Sequence, residues 1–186
     1  MRAAIFLLIT MIAGIFGAGC ATPSKCRPAE VAPGILDGCK PRTQEDFETL
    51  RKQGIRTILS LETLPWNIRP ERRLARKNGI AYRNVPILAS PLKPREKRVK
   101  EALLTLADES LHPIFLHCFL GEDRDVFIVG LYRIYYQHWT TEAAWEEMMR
   151  SKFHVRRSLR GFETYFWSHT HVPDWVESAK PKTDSR

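Results

Sequence analysis

Long apolar runs are scarce in this chain. The only one extends from Ala3 to Phe16 and is interrupted by Thr10 and by glycine. It is too short and too broken to favour a transmembrane anchor. The sequence also lacks internal repeats and low-complexity segments, which excludes solenoid and fibrous architectures. About 145 residues beyond the N-terminal segments therefore suit one globular domain.

Signals for nucleic acid and for metal are also missing. The basic residues are not interleaved with aromatic side chains such as Trp66, Trp139 and Trp145, so no base-stacking surface is predicted. His169 and His171 have no thiol or carboxylate at the spacing that a metal site requires. We therefore expect neither a nucleic-acid partner nor a metal or other cofactor.

The N-terminus carries a targeting pattern. Met1-Arg2 gives a positive start, and the apolar run ends in Gly17-Ala18-Gly19-Cys20. This segment resembles a bacterial lipoprotein signal, which implies that residues 1–19 are removed and that Cys20 is acylated. The protein would then be anchored to a membrane of the bacterial cell envelope, on the periplasmic or outer-membrane side. Because Gly17 stands where leucine is usual, secretion as a soluble periplasmic protein is the alternative.

Two further cysteines, Cys26 and Cys39, flank a Pro-rich stretch. In an oxidising compartment a disulfide between them is permitted, and two unpaired thiols are the alternative. The predicted organisation is a signal at 1–19, a leader at 20–33, a catalytic domain at 34–176 and a charged tail at 177–186. The net charge of +8 becomes +7 without the signal.

Strand and helix patterns alternate along the domain. The apolar periodicity and the helix start and stop signals predict an α/β fold with a central, mostly parallel sheet flanked by helices. The predicted strands are 55–61, 81–87 and 114–117. The predicted helices are 43–53, 70–78, 94–108, 126–137, 141–150 and 159–167.

The segment from His117 to Arg124 has the pattern His-Cys-x5-Arg, with a glycine three residues after the cysteine. An apolar strand precedes it and an apolar helix follows. Strand, tight loop and helix N-terminus in that order form a phosphate cradle from backbone N–H groups and the helix dipole. Cys118 at its mouth is predicted to have a depressed pKa and to be a nucleophilic thiolate. Arg124 offers a planar fork for two phosphoryl oxygens.

This motif resembles the active-site loop of the protein tyrosine phosphatase superfamily, in its small dual-specificity-like form, and the resemblance extends over residues 31–167. It implies a phosphatase that needs no cofactor. Cys118 would attack phosphorus, Arg124 would hold the phosphate, and His117 would orient the cysteine. The remaining loop residues would surround the phosphate: Phe119, Leu120, Gly121 and Glu122.

The general acid of the reaction is not at its usual place. In most relatives it is an aspartate on the loop before the catalytic strand, but residues 86–96 contain only Glu96. The loop itself is similar to that of the mycobacterial triple-specificity phosphatases, where an aspartate before the arginine has the acid role. Asp123 is therefore the favoured acid, because of its reach to the leaving oxygen, and Glu96 is the alternative.

Two carboxylates depart from the family pattern. Glu122 stands where the triple-specificity relatives have lysine, and Asp125 stands where Ser or Thr normally follows the arginine. That hydroxyl usually helps the sulfur to leave, so hydrolysis of the intermediate is in question. A metal held by Glu122, Asp123 and Asp125 is disfavoured, because the spacing is not that of a calcium loop.

Basic residues indicate the substrate class. Lys93 and Arg95 lie on the loop before the catalytic strand, and similar residues occur at 69–83 and 150–160. Such charges would concentrate a polyanion. The resemblance to exported tyrosine-phosphatase-like phytases then favours inositol polyphosphate or another small phosphoester. Phosphoproteins are the alternative substrates, and a phosphate-binding pseudophosphatase is the second alternative.

Overall fold

A computed structural model of the chain describes residues 28–151, 153 and 159–179. The predicted signal, Cys20, Cys26 and residues 180–186 lie outside this part. The strands are β1 (Ala29–Ala32), β2 (Ile35–Gly38), β3 (Thr57–Ser60), β4 (Ala81–Asn84) and β5 (Ile114–His117). The helices are α1 (Gln44–Lys52), α2 (Pro65–Lys77), α3 (Glu96–Ala107), α4 (Arg124–Gln137), α5 (Thr141–Arg150), α6 (Arg160–Ser168) and α7 (Asp174–Ala179).

The five strands form one sheet in the order β1-β2-β5-β3-β4. Only β1 and β2 are antiparallel, while β2, β5, β3 and β4 run parallel to one another. The prediction of an α/β fold with a mostly parallel sheet is confirmed. Because β5 is central, its C-terminal end lies between the ends of β2 and β3.

The central strand β5 is buried on both faces, as its continuous apolar run predicts. Ile114 and Leu116 belong to the larger core, which lies under α3, α4, α5 and α6. Phe115 points the other way, into a smaller core with Phe47 of α1 and Ala75 of α2. Helices on both sides therefore hold β5 rigidly in place.

The structure differs from the sequence prediction at the N-terminal hairpin and at two helices. The hairpin of β1 and β2 was not predicted, because each strand has only four residues and the turn at Gly34, with φ of 78°, follows a proline. The predicted boundary between residues 33 and 34 lies in this turn. Helix α2 begins at Pro65, not at Pro70, which is inside it. Helix α7 was missed.

No helix in residues 28–151, 153 and 159–179 combines the length and the apolar character needed to cross a bilayer.

Helix α6 packs very closely against the loop between β4 and α3. A Cβ atom at Gly161 would lie 1.9 Å from the carbonyl oxygen of Leu92 and 2.8 Å from the nitrogen of Lys93. Only a residue without a side chain permits this approach of two backbones. Gly161 therefore sets the position of the loop that carries Lys93 and Arg95.

We predict that Gly161→Ala destabilises the protein by about 1–3 kcal/mol, because the added methyl group pushes the loop away. Urea unfolding measures this change. Thr164→Ala, at an exposed site on the same helix, is the control and should stay within about 0.5 kcal/mol of the wild type. An alanine at position 161 that raised stability, as its helix propensity alone would do, would contradict the close packing.

Candidate active site

Residues 118–123 connect the end of β5 to the start of α4, at the carboxyl edge of the parallel strands. Ligands bind at this edge in open α/β sheets. Cys118 is only 1 % exposed, and Phe119 and Leu120 are exposed. Glu122 and Asp123 are half-buried, and Asp123 is the N-cap residue of α4. The predicted loop residues are thus brought together at a helix N-terminus.

Gly121 allows this loop to fold against the neighbouring strand. Its φ is 72°, and an added Cβ atom would lie 2.7 Å from the nitrogen of Cys39 and from the carbonyl carbon of Gly38. Cys39 is half of a disulfide. Its predicted partner, Cys26, lies outside the described residues. The loop therefore packs directly against the end of β2, which the disulfide holds in place.

Arg124 is buried, and three residues on the segments after β3 and β4 hold its guanidinium. Its Nη1 donates to the carbonyl oxygens of Leu61, at 3.1 Å, and of Ile87, at 3.4 Å. Its Nη2 donates to Oε1 of Glu62 at 2.8 Å. A guanidinium has five N–H donors, so within the described part of the chain these bonds leave Nε–H and one N–H of Nη2. Nε and Nη2 lie along one edge of the guanidinium, and such an edge can bind two oxygens of an anion.

His117 is fully buried between two acceptors. Its Nδ1 lies 2.7 Å from the carbonyl oxygen of Cys118, and its Nε2 lies 2.6 Å from Oε1 of Glu71. The carbonyl can only accept, so Nδ1 carries a proton and donates it. Nε2 and the Glu71 carboxyl group form the second hydrogen bond of the ring. His117 thereby fixes the backbone of the residue that carries the sulfur.

Glu62 and Glu71 are linked to each other by two polar residues. Asn67 donates from Nδ2 to Oε2 of Glu62 at 2.7 Å. The backbone carbonyl oxygen of Asn67 accepts from Nζ of Lys40 at 2.9 Å. Lys40 Nζ also lies 3.8 Å from Oε2 of Glu71. The network joins the ends of β2 and β3 to α2, beneath the loop of residues 118–123.

Sequence reasoning missed this network. Its signal was the position of Lys40 and Glu62, which are polar residues two positions after strands whose carboxyl ends meet at the site. Glu71 stood out as the acidic residue in an otherwise basic helix.

Cys118 is in direct contact with Asp125. The thiol donates from Sγ to Oδ1 of Asp125 at 3.0 Å. Burial raises the pKa of Cys118, and the charge of Asp125 raises it further, while Arg124 and the backbone N–H of Gly121 act in the opposite direction. The predicted depression of the pKa of Cys118 is therefore wrong for the free protein. The sequence argument did not include a carboxylate next to the sulfur.

The two candidates for the general acid lie in different places. Asp123 is in the loop, and its carbonyl oxygen accepts from the backbone nitrogen of Phe127 at 2.9 Å. Glu96 is exposed at the first residue of α3. Burial raises the pKa of Tyr165 to about 12, and the nearby charge of Glu96 adds to this rise. Glu96 thus lies beside α6, whereas Asp123 is part of the loop.

Lys93 and Arg95 line a cavity of about 460 Å³. Arg98 also lines it, and so does Ile87, whose carbonyl oxygen binds Arg124. The cavity therefore lies next to Arg124. Among the described residues, no group of three or more His, Cys, Asp or Glu side chains is arranged to hold a metal ion.

The comparisons with known proteins agree with this architecture. A family model described as the tyrosine phosphatase family matches residues 25–181. The chain is similar to the catalytic core of the PP-IP phosphatase SIW14 from S. cerevisiae, with 22% identity, a TM-score of 0.68, and 84% of this chain and 90% of that chain covered. It is also similar to TpbA from P. aeruginosa, with 20% identity, a TM-score of 0.62, and 85% and 95% covered.

Among the curated proteins, none matches the sequence. The structural likeness establishes the common fold, and the family model covers most of the chain, including the His117–Arg124 loop. The chain therefore belongs to the tyrosine phosphatase family, whose members are cysteine-based phosphoric monoester hydrolases.

Proposed function

We propose that this protein hydrolyses phosphate monoesters through a cysteinyl-phosphate intermediate, and that its substrate is inositol polyphosphate or another small, multiply phosphorylated ester. The observation that carries the reaction is the loop between β5 and α4. It places the sulfur of Cys118, the guanidinium of Arg124 and a helix N-terminus around one site.

In the first step Cys118 Sγ attacks phosphorus while the ester oxygen leaves with a proton from the general acid. Asp123 has this role because it belongs to the loop that surrounds the phosphate, and Glu96 is the alternative. In the second step water attacks phosphorus, the acid residue accepts the proton of that water, and the S–P bond breaks. The products are the alcohol and inorganic phosphate.

Arg124 stabilises the phosphoryl oxygens in both steps. Glu62 and the carbonyl oxygens of Leu61 and Ile87 hold its guanidinium, so no rearrangement is needed when the charge develops. The backbone N–H groups of the loop and the start of α4 add partial positive charge. Because Glu71 and His117 fix the backbone at Cys118, the sulfur stays aligned with phosphorus.

The cavity beside Arg124 supports this choice of substrate class. Lys93 and Arg95 are exposed on its rim, where they can bind a second phosphate on the same molecule. A substrate with a single phosphate would leave both side chains without a partner. SIW14, which has the same fold, is a PP-IP phosphatase, and this supports an inositol-type substrate.

Phosphotyrosine in proteins is the second candidate. Phe119 and Leu120 are exposed in the loop, and Leu88 and Leu92 are exposed on the adjoining cavity. These apolar side chains are suited to an aromatic ring next to the phosphate. TpbA, with the same fold, has been crystallised with pTyr. A phosphate-binding pseudophosphatase is the third candidate, because the nucleophile Cys118 is hydrogen-bonded to the carboxyl group of Asp125.

We expect the protein to release phosphate faster from inositol hexakisphosphate than from a phosphotyrosine peptide when the two are assayed side by side. Lys93→Gln combined with Arg95→Gln should raise KM for the inositol ester on the order of tenfold, since each exposed charge contact contributes up to about 1 kcal/mol. KM for nitrophenyl phosphate should hardly change.

Lys97→Gln is the matched control, because Lys97 is exposed on α3 but does not line the cavity. Cys118→Ser should abolish turnover and leave phosphate binding intact. Faster phosphate release from the phosphotyrosine peptide would mean that phosphoproteins are the substrates. Binding of phosphate with no turnover on either substrate would make the protein a pseudophosphatase.

We further expect Asp123→Asn to lower kcat for an alkyl phosphate by about 10²-fold or more, and to affect nitrophenyl phosphate far less. The alkoxide needs a proton in order to leave, whereas nitrophenolate does not. Steady-state kinetics with both esters measures the difference, with Glu96→Gln as the parallel variant. If only Glu96→Gln shows the difference between the two esters, Glu96 is the acid.

A further inference from the structure

Asp125 is the least expected group next to the nucleophile. It lies in the first turn of α4 and is fully buried. Its Oδ1 accepts from Cys118 Sγ at 3.0 Å, and its Oδ2 has no hydrogen-bond partner within the described part of the chain. A carboxyl group that is buried in this way needs a proton or a strong donor, and the thiol is the side chain that donates to it.

The contact itself requires a proton. A thiolate and a carboxylate at 3.0 Å would be two buried anions in direct contact. Coulomb repulsion at low dielectric makes that state unfavourable. The pair therefore holds one proton, either on Sγ or on the carboxyl group.

We propose that Asp125 is a catalytic residue that takes the thiol proton from Cys118 as the sulfur attacks phosphorus and returns it as the sulfur leaves. This inference rests on the proposed phosphatase function and adds a role to the same site. It concerns the residue that stands where relatives have Ser or Thr.

The proton balance is complete without a further reagent. In the first step the S–H bond breaks, its proton goes to Asp125, and the sulfur electron pair forms the S–P bond while the ester oxygen leaves. In the second step water forms the new O–P bond, the S–P bond breaks, and the proton of Asp125 returns to Sγ. The protons of the alcohol and of water pass through the separate general acid.

The exchange also keeps the charge of the site constant. A thiol beside a carboxylate carries one negative charge, and so does a thiolate beside a carboxylic acid. A thiolate beside a neutral hydroxyl, as in the family pattern, has that same charge. Asp125 therefore does not make the loop of residues 118–123 more negative in the attacking state.

The surroundings of Asp125 favour sharing of the proton. Burial raises the pKa of Asp125, while the bond from Cys118, the backbone N–H groups of Asp125 and Val126, and the neighbouring His117 lower it. Asp37 on β2 faces it. Burial and the charge of Asp125, with Glu147 on α5, raise the pKa of Asp37 to about 7 against the effect of Arg133 on α4. Arg124 is the nearby cation that acts on Cys118.

The first test needs no substrate. Alkylation of Cys118 by iodoacetamide, followed on its own peptide by mass spectrometry across pH, reports the thiolate fraction. We expect the wild-type midpoint to lie above that of an ordinary thiol. In Asp125→Asn, an isosteric change, it should fall by about one unit or more, because the neighbouring negative charge is gone. Asp37→Asn is the control and should shift the midpoint less, since Asp37 does not touch the sulfur.

The second test separates a catalytic role from a structural one. Asp125→Val fills the site with an apolar side chain and cannot return a proton. It should therefore lower kcat by about 10²-fold and accumulate phosphorylated enzyme, seen as a burst of product. Asp125→Thr supplies the hydroxyl of the family pattern and should recover most of the lost turnover.

Two results would overturn the proposal. One is a wild-type alkylation midpoint below neutral pH that Asp125→Asn does not move, since the pair would then share no proton. The other is a kcat for Asp125→Val equal to or above that of the wild type, which would make the carboxylate a mere inhibitor of the nucleophile. If the wild type hydrolyses no phosphoester, the proposed function fails, and the alkylation comparison still decides whether the pair exists.

Discussion

The buried ion pair of Arg124 and Glu62 is the interaction on which the site depends. Removing two charges from water is costly, and a pair of this kind is favourable only when further hydrogen bonds satisfy both partners. Here the carbonyl oxygens of Leu61 and Ile87 accept hydrogen bonds from the guanidinium, and Asn67 donates a hydrogen bond to the carboxylate of Glu62. The pair therefore joins β3, the loop after β4 and the start of α4 into one rigid frame.

That frame explains why the loop is arranged for phosphate before any ligand binds. Glu71 does for His117 what Glu62 does for Arg124, since it satisfies a buried polar group and fixes its direction. The disulfide at Cys39 and the contact of Gly121 with the end of β2 support the opposite side. Preorganised dipoles need no reorganisation during the reaction, which is the largest single contribution in many enzymes.

The sequence predicted those features of the fold and of the site that depend on a local residue pattern. The apolar run of β5, the glycine of the loop and the polar start of α4 placed Cys118 and Arg124 at a helix N-terminus, and the alternation of strands and helices indicated the parallel sheet. Local pattern does not report which side chains meet across the fold. Glu62 and Glu71 are distant in sequence from the residues they bind, and the raised pKa of Cys118 depends on its depth of burial and on Asp125.

The most direct test of this account is to identify the atom that carries the phosphoryl group during turnover. Acid quenching of the enzyme in the presence of substrate, followed by peptide mass spectrometry, gives that answer. The account predicts an increase of one phosphoryl group on the peptide that contains Cys118, and a larger fraction of it in Asp125→Val. Phosphate release without any phosphorylated cysteine, or with the phosphoryl group on another residue, would contradict it.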